Sequence, residues 1–458
     1  MEKFLKSSDE NKRFYSILTS LCIPIIIQNL ISTSINIIDT IMISGLGEVS
    51  LAAVGIGNQF FFLFNMCVTG ILGGSSIFIS QFLGKKDITN IKKISILSII
   101  FSLVISIPFF ISGTVFPERV AFIFSRDSEV IRECCDYLSI VALCYPLIAV
   151  SLALGICSRS VKDPSLGMRC SVVAIIVNVF FNYALIPGNF GFPALGIKGA
   201  AIATFIARAV EIILITGYIF IYKKDYIIKF SMKHLKMIDK NFVSVYCSKS
   251  IPVFLNDAFW ATATVFYSIA YGIAGTSAIA TSQIATTTGN FFIIATTSIA
   301  MGASIMLGNE LGSDHIERAL KYSKKLGFII AIMGIIIGGL LTISIPVLLM
   351  LFNVTPNLED VTKKIFIIMS IIMPLRALDT YMIIGVLRSG GDTRAALIIE
   401  MGSMWLVSIP LTFWAAIINL PIHIIFACSL TETIVKFVFG LLRCREKKWA
   451  KNIVKNIR

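Results

Sequence analysis

Charge is scarce in this sequence. Asp, Glu, Lys and Arg make up only 14% of it against 56% apolar residues, with a mean hydropathy of +0.86, whereas soluble domains carry about a quarter charged residues. A water-soluble globule is excluded on that ground. Histidine occurs three times, at 234, 315 and 423, too far apart to suggest paired metal ligands. The ten cysteines are scattered, mostly within apolar runs, so neither a disulfide framework nor thiolate metal ligation is expected. Catalytic loops are missing too. The nearest approach to G-x-x-x-x-G-K-[ST] is Gly191 to Gly199, which lacks both the Gly-Lys-Ser/Thr end and the strand–helix setting of a phosphate cradle. G-x-S-x-G and H-E-x-x-H do not occur. The chain is therefore not expected to be an enzyme or to carry its own ATPase, and any uphill work would draw on an ion gradient. No cofactor is expected beyond a coupling ion, Na⁺ or H⁺.

Long apolar runs are what the chain has instead. Twelve of them, from 16–44 to 422–442, are mostly long enough to cross a hydrocarbon core of about 30 Å as helices. The expected fold class is an all-α integral membrane protein with twelve transmembrane helices, six per half. Basic residues are unequally shared between the connecting segments. Lys3–Arg13, Lys85–Lys93, Arg159–Arg169, Lys223–Lys240, Arg318–Lys325, Arg388–Arg394 and Arg443–Arg458 hold 30 of the 40 Lys and Arg, and the alternate segments hold six. This bias places both termini on the cytoplasmic face of a plasma (inner) membrane. Basic loops against anionic lipid account for the net charge of +14, and their dispersal makes nucleic acid an unexpected partner. The first run follows Lys12-Arg13 directly and has no small-residue cleavage site, so it is expected to stay as the first helix.

The chain matches itself at an offset of 228. Pro24 pairs with Pro252, Gly47 with Gly275, Gly74 with Gly302, Pro146 with Pro374 and Pro193 with Pro421. Duplicated membrane units of this kind build transporters that alternate access to a central site. The expected division is an N-terminal six-helix lobe at 1–222, a basic cytoplasmic linker at 223–240, and a C-terminal lobe at 241–458 with a basic tail. In the linker, Tyr226, Ile228, Met232 and other apolar residues interleave with lysines, which suits either an amphipathic segment on the membrane surface or a plain tether. Pro24, Pro146, Pro252 and Pro374 are candidate hinges, since each removes a backbone hydrogen bond. Gly70-x-x-x-Gly74 and Gly334-x-x-x-Gly338 are places where helices can approach closely.

Ionisable residues inside apolar runs are costly and are functional candidates for that reason. Gln28, Ser32, Asn36 and Asp39 fall at i, i+4, i+8 and i+11 on one face of the first helix, with Asn29 and Thr33 beside them. The stripe predicts a wet cavity bordered by Gln28, Asn29, Ser32 and Asn36, and a coupling role for Asp39. A structural buried carboxylate, or one at the outer rim, is the competing reading. A carboxylate suits coupling because desolvation favours its protonated form, whereas added oxygen ligands favour a bound cation. Asp379 and Asp257 are the second-lobe candidates. Arg376 offers Asp379 an ion pair at i,i+3, while Asp257 follows the Pro252 kink with no basic partner in its own helix. Glu211 with Arg208 and Glu432 with Lys436 read as intrahelical pairs, and Glu400 has no clear partner. Arg208 and Lys436 also match across the repeat, which favours a structural purpose for both. The 34 phenylalanines supply ring faces that could line a cavity for lipophilic cations.

Four stretches together resemble the multidrug and toxic compound extrusion (MATE) family of cation-coupled efflux transporters. They are Ile38-Asp39-Thr40-Ile41-Met42-x-x-Gly45-x-Gly47 followed by Leu51-Ala52-Ala53-Val54-Gly55; Gly74 to Gly84 leading into Lys85-Lys86-Asp87; Asn178 to Gly188 followed by Pro193-x-x-Gly196-x-x-Gly199-Ala200-Ala201; and Leu387-Arg388-Ser389-Gly390-Gly391-Asp392-Thr393. The resemblance implies a V-shaped pair of six-helix lobes that exchange small-molecule drugs or toxic cations for Na⁺ or H⁺ across the bilayer by alternating access, and a monomer is expected. It also implies that Asp39 matches the family's first-span coupling aspartate, and Asp379 the tenth-span aspartate of the sodium-linked branch. Asn178 and Thr204 match polar residues of the proton-linked branch, and Asn182 stands where that branch carries a second aspartate. Asp257 is the acid nearest to the sodium-linked branch's span-seven glutamate. The alternative is a lipid-linked-precursor flippase of the same wider superfamily, which should have a more basic cavity. A non-transporting membrane scaffold would leave the in-span aspartates unexplained.

Overall fold

Apolar segments of this length fold as helices in a bilayer, because a helix satisfies every peptide group within itself. The computed structural model describes the backbone of residues 2–223, 225–352, 354 and 356–457, and the side chains of the same residues except 2–9, 34–37, 40 and 357. All regular structure among them is helical: α1 (Glu2–Ser44), α2 (Glu48–Lys85), α3 (Ile88–Val115), α4 (Pro117–Phe124), α5 (Ser128–Val141), α6 (Tyr145–Ser160), α7 (Pro164–Leu185), α8 (Ile197–Gly217) and α9 (Met232–Lys236) in the first half. The second half holds α10 (Lys240–Ile273), α11 (Thr276–Gly312), α12 (Ile316–Leu351), α13 (Pro356–Thr380), α14 (Thr393–Met401), α15 (Ile409–Ile417), α16 (Ile422–Ser429) and α17 (Thr431–Arg445). π-Helical turns at Tyr381–Leu387 and Gly402–Ser408 join α13 toward Arg388 and α14 to α15. Among the described residues, eleven helical stretches are long and apolar enough to cross a membrane. The twelfth expected span, α10, has 34 residues, but Asn256, Asp257, Thr262, Thr264 and Ser268 dilute its apolar character and keep it outside the eleven. Pro24, Pro252 and Pro374 lie inside helices, whereas Pro146 opens the first turn of α6, where a missing N–H costs nothing.

The duplication is visible in the backbone. Glu48 and Thr276 open α2 and α11, and Ile88 and Ile316 open α3 and α12, each pair 228 apart. Gly47 (φ 109°, ψ 173°) and Gly275 (φ 108°, ψ 172°) precede α2 and α11 in almost the same conformation, one that residues with a Cβ rarely adopt.

The chain divides into two compact units, Ile23–Phe254 and Met1–Cys22 with Leu255–Arg458. Each unit thus contains the opening turns of the other repeat's first helix, and the divisions within α1 and α10 fall next to Pro24 and Pro252. Matched contacts hold these openings. In the first-repeat unit Phe242 stacks on Phe82, Lys93 lies over the Phe242 ring, and Tyr246 hydrogen-bonds Ser75 at 2.7 Å. In the second-repeat unit Phe14, at the position matching Phe242, packs edge-on against Tyr322, and Lys321, matching Lys93, pairs with Glu10 at 2.6 Å. The repeated glycines are the seats for these helices: a Cβ on Gly74 would lie 2.5 Å from Ser250 Cα, and one on Gly302 would lie 2.6 Å from Cys22 Sγ. Gly334 and Gly338 likewise let α12 approach Pro374 and Ser370 of α13.

The segment after the last span of each repeat folds back onto a turn. In the first, Tyr226 and Ile228 are buried, and the Tyr226 hydroxyl donates to Asp163 at 2.8 Å and lies 2.7 Å from Ser158 Oγ. Burial raises the pKa of this hydroxyl. Met232, Leu235 and Met237 remain exposed, so the linker docks at its start and presents an apolar face further on. In the second, Trp449 and Val454 are buried, and Asn452 donates to Gly312 O at 3.2 Å and Asp314 Oδ1 at 2.9 Å. The Asn452 amide, with Lys455, holds the Asp314 carboxyl below the ordinary carboxylate range. A Cβ on Gly390 would fall 1.6 Å from the Trp449 carbonyl oxygen, so glycine is required there.

Candidate functional site

Within the first-repeat unit, six helices meet around a cavity of about 50 Å³, room for a few water molecules. Asp39 enters from α1. Gly57, Asn58 and Phe61 come from α2, Tyr137 and Val141 from α5, and Ile148 from α6. From α7 come Ala174 and Asn178, and from α8 Thr204, Ala207 and Arg208. The helical period sets much of this: 174 and 178, and 204 and 208, are one turn apart and share a face.

Asp39 Oδ1 accepts a hydrogen bond from Asn182 Nδ2 at 2.6 Å, and the same amide donates to Asn178 Oδ1 at 3.2 Å. Donating both ways leaves Asn182 Oδ1 buried without a partner among the described residues. Such an acceptor is costly unless something else comes to it. Arg208 also lines the cavity and pairs with Glu211 at 2.8 Å, as its i,i+3 spacing predicts. Ser171 donates to Glu211 Oε1 at 3.0 Å, and Gln28 reaches Ser171 at 3.5 Å.

The structure therefore brings Asp39, Asn178, Asn182 and Thr204 together. Of the α1 stripe, Gln28 turns to Ser171, Ser32 is exposed and bonds back to the Gln28 carbonyl, and the Asn29 carbonyl accepts from Thr33. The Asn36 side chain lies outside the described residues. Asn58, Tyr137 and Arg208 are cavity residues that the sequence reading did not assign to it. Arg208 was legible only as half of a local ion pair.

Asp379 and Asp257 belong to the second-repeat unit. Asp379 is buried at 5% exposure and accepts from Thr380 Oγ1 at 3.1 Å. Asp257, expected to lack a partner within its helix, finds one elsewhere: Arg388 Nη2, just past the π-helical turn, donates to it at 2.8 Å. Glu400 is partnered too. It accepts from Asn256 at 2.6 Å and lies 3.7 Å from Lys436 Nζ, which also meets Glu432 at 3.2 Å. Tyr267, the repeat counterpart of Asp39, donates to Glu432 at 2.6 Å.

Comparison with known proteins follows the same duplication. The MatE family model matches residues 24–184 and again 252–414, two starts that are 228 apart. An uncharacterized transporter, YisQ of Bacillus subtilis, is 27% identical over 405 residues, covering 86% of each chain. A probable multidrug resistance protein NorM of Halalkalibacterium halodurans is 26% identical over 397 residues, covering 84% of each. Among solved structures, a MATE protein in complex with MaL6 superposes with a TM-score of 0.85 at 18% identity, over 94% of this chain and 96% of its own. A transporter of the MOP superfamily from Pyrococcus furiosus, described as having a binding pocket of reverse polarity that suggests a different function, gives 0.84 at 18% over the same shares.

Proposed function

The chain belongs to the MatE family of membrane transporters, and on that premise we propose that it exports small amphipathic cations in exchange for Na⁺ or H⁺, with Asp39 as the coupling group. One observation carries the reading. Asp39 opens onto a small cavity beside Asn178 and Thr204, and next to it Asn182 Oδ1 is a buried acceptor with no partner among the described residues. A bound cation would answer both the carboxylate and the orphan oxygen, as hard cations gather oxygen ligands. A proton on Asp39 would instead remove the charge in a low-dielectric setting that penalises it. Either event changes the charge on α1, and an exporter needs such a change to link the ion's passage to the substrate's. At about 50 Å³ the cavity has room for an ion and its waters, and we assign it to the ion. The relatives named for multidrug resistance support a cationic, amphipathic substrate class for this chain. The cell membrane, cytoplasmic termini and a monomeric state complete the proposal.

Purified protein in proteoliposomes loaded with a cationic dye tests it. An imposed Na⁺ or pH gradient should drive efflux, and Asp39→Asn should abolish the driven component. If neither gradient drives efflux, or Asp39→Asn behaves as wild type, the assignment fails. A second reading, translocation of a lipid-linked anionic precursor, is favoured by Arg208 in the same cavity. Lipid translocation without dye efflux would select it.

A further inference from the structure

The cavity holds a feature that coupling by Asp39 alone does not explain: a guanidinium, that of Arg208, on the wall of the same cavity. Resting on the reading of Asp39 as the coupling group, we infer that Arg208 is a tethered internal cation. It stands in for the coupling ion at Asp39 when the site is empty, and Glu211 draws it aside when the ion binds.

Three observations build this. Arg208 and Asp39 line one cavity, yet Asp39 is met by the Asn182 amide, and Arg208 lies against Glu211. The tether is itself anchored: Glu211 is buried at 8% exposure and accepts from Ser171, which Gln28 reaches in turn. The second copy of the repeat then offers an internal comparison. Lys436 stands 228 residues after Arg208, and its ammonium lies between Glu432 and Glu400, with Tyr267, the counterpart of Asp39, bonded to Glu432. There the chain supplies the cation permanently. In the first copy the equivalent base has been given a private carboxylate one turn away and leaves an acid facing open space.

The physical need is plain. A carboxylate that releases its ion inside a low-dielectric wall is left uncompensated. Arginine suits the exchange because its guanidinium is always charged, weakly hydrated and carried on a long stem that can swing between two carboxylates. A resident base also competes with the ion, which sets the affinity low enough for release.

Equilibrium binding decides this, with purified full-length protein titrated with ²²Na⁺ and, in parallel, with acid while proton uptake is followed. Asp39→Asn in each background serves as the blank. Arg208→Gln should raise Asp39-dependent affinity roughly tenfold or more, as expected for removing a unit charge from the wall of the same cavity in a protein-like dielectric. Glu211→Gln frees the arginine to occupy Asp39 and should lower that affinity by a similar factor. Fixed charges alone would give opposite but additive shifts, whereas the tether predicts that Glu211→Gln loses most of its effect once Arg208 is replaced by Gln; additive shifts in the double variant mean a merely structural pair. That outcome, or no change in either, overturns the inference while leaving the Asp39 site standing. If Arg208→Gln does not fold, Arg208→Met takes its place in the same double comparison, and unchanged or tighter binding by Glu211→Gln alone overturns the tether. If wild type and Asp39→Asn bind alike, the site reading itself fails and the tether with it.

Discussion

Asn182 is the residue at which the ion choice of this chain can be changed. It donates to Asp39 from 2.6 Å, and a carboxylate in its place would put two like charges in contact in a buried setting, where both cannot ionise. Asn182→Asp should therefore make the pair hold a shared proton, and the purified variant should take up more protons near neutral pH than wild type, with efflux moving toward the pH gradient. Asp257 poses the opposite case, a part-buried acid already matched by a buried arginine. Arg388→Met would strand it and should cost about 3–5 kcal/mol, whereas Arg388→Met with Asp257→Leu should recover most of that loss. Thermal unfolding in detergent reads both, and equal loss in the single and double variants would rule out the pair as the cause. The polar stripe on α1 was legible in sequence because helical periodicity is a local rule. Its destinations were not: Gln28 pairs with a residue 143 positions away, and Asp39 with another at the same separation.

At the scale of elements, the returning segments and the exchanged helix openings make separable predictions. A Cβ at Gly74 meets backbone, whereas at Gly302 it meets the tip of a cysteine side chain, which has more room to yield. Gly74→Ala should therefore cost more stability than Gly302→Ala, by about 1–3 kcal/mol for a forced backbone shift; equal melting temperatures would contradict the close seating of α10. In the tail, Asp314 is held below its ordinary range by Asn452 and Lys455. A depressed carboxylate contributes stability that is present above its unfolded pKa and lost as pH falls through the folded one. Hydrogen exchange in residues 446–457, corrected for intrinsic rates, should accordingly rise as pH is lowered below about 4, and Asp314→Asn should exchange fast already at neutral pH. The basic linker at 223–240 looked from its sequence like a surface helix or a tether, and in the structure Tyr226 and Ile228 dock while Met232 stays exposed. Interleaved lysines conceal such docking, because the apolar residues that turn inward are indistinguishable in composition from those that do not.

For the molecule as a whole, the distribution of basic residues predicts orientation. In a cysteine-free background, a membrane-impermeant maleimide applied to intact cells should label Lys198→Cys, whose side chain is half exposed, and should leave Lys12→Cys unlabelled until the cells are opened; the reverse pattern would invert the topology. The sequence by itself determined the membrane class, the helical spans and the 228-residue duplication, since hydropathy, period and self-similarity are properties of neighbouring or evenly spaced residues. It also marked Asp39 through the cost of a carboxylate in an apolar run. Only the tertiary structure decided which residues stand opposite one another. It gave Asp257 a partner 131 residues away, set Lys436 between two acids, put Arg208 on the wall of the Asp39 cavity, and seated each repeat's first helical turns on the other repeat's glycine. Ion pairs and close packing depend on distance in space, and folding brings together groups whose separation along the chain carries no trace of it.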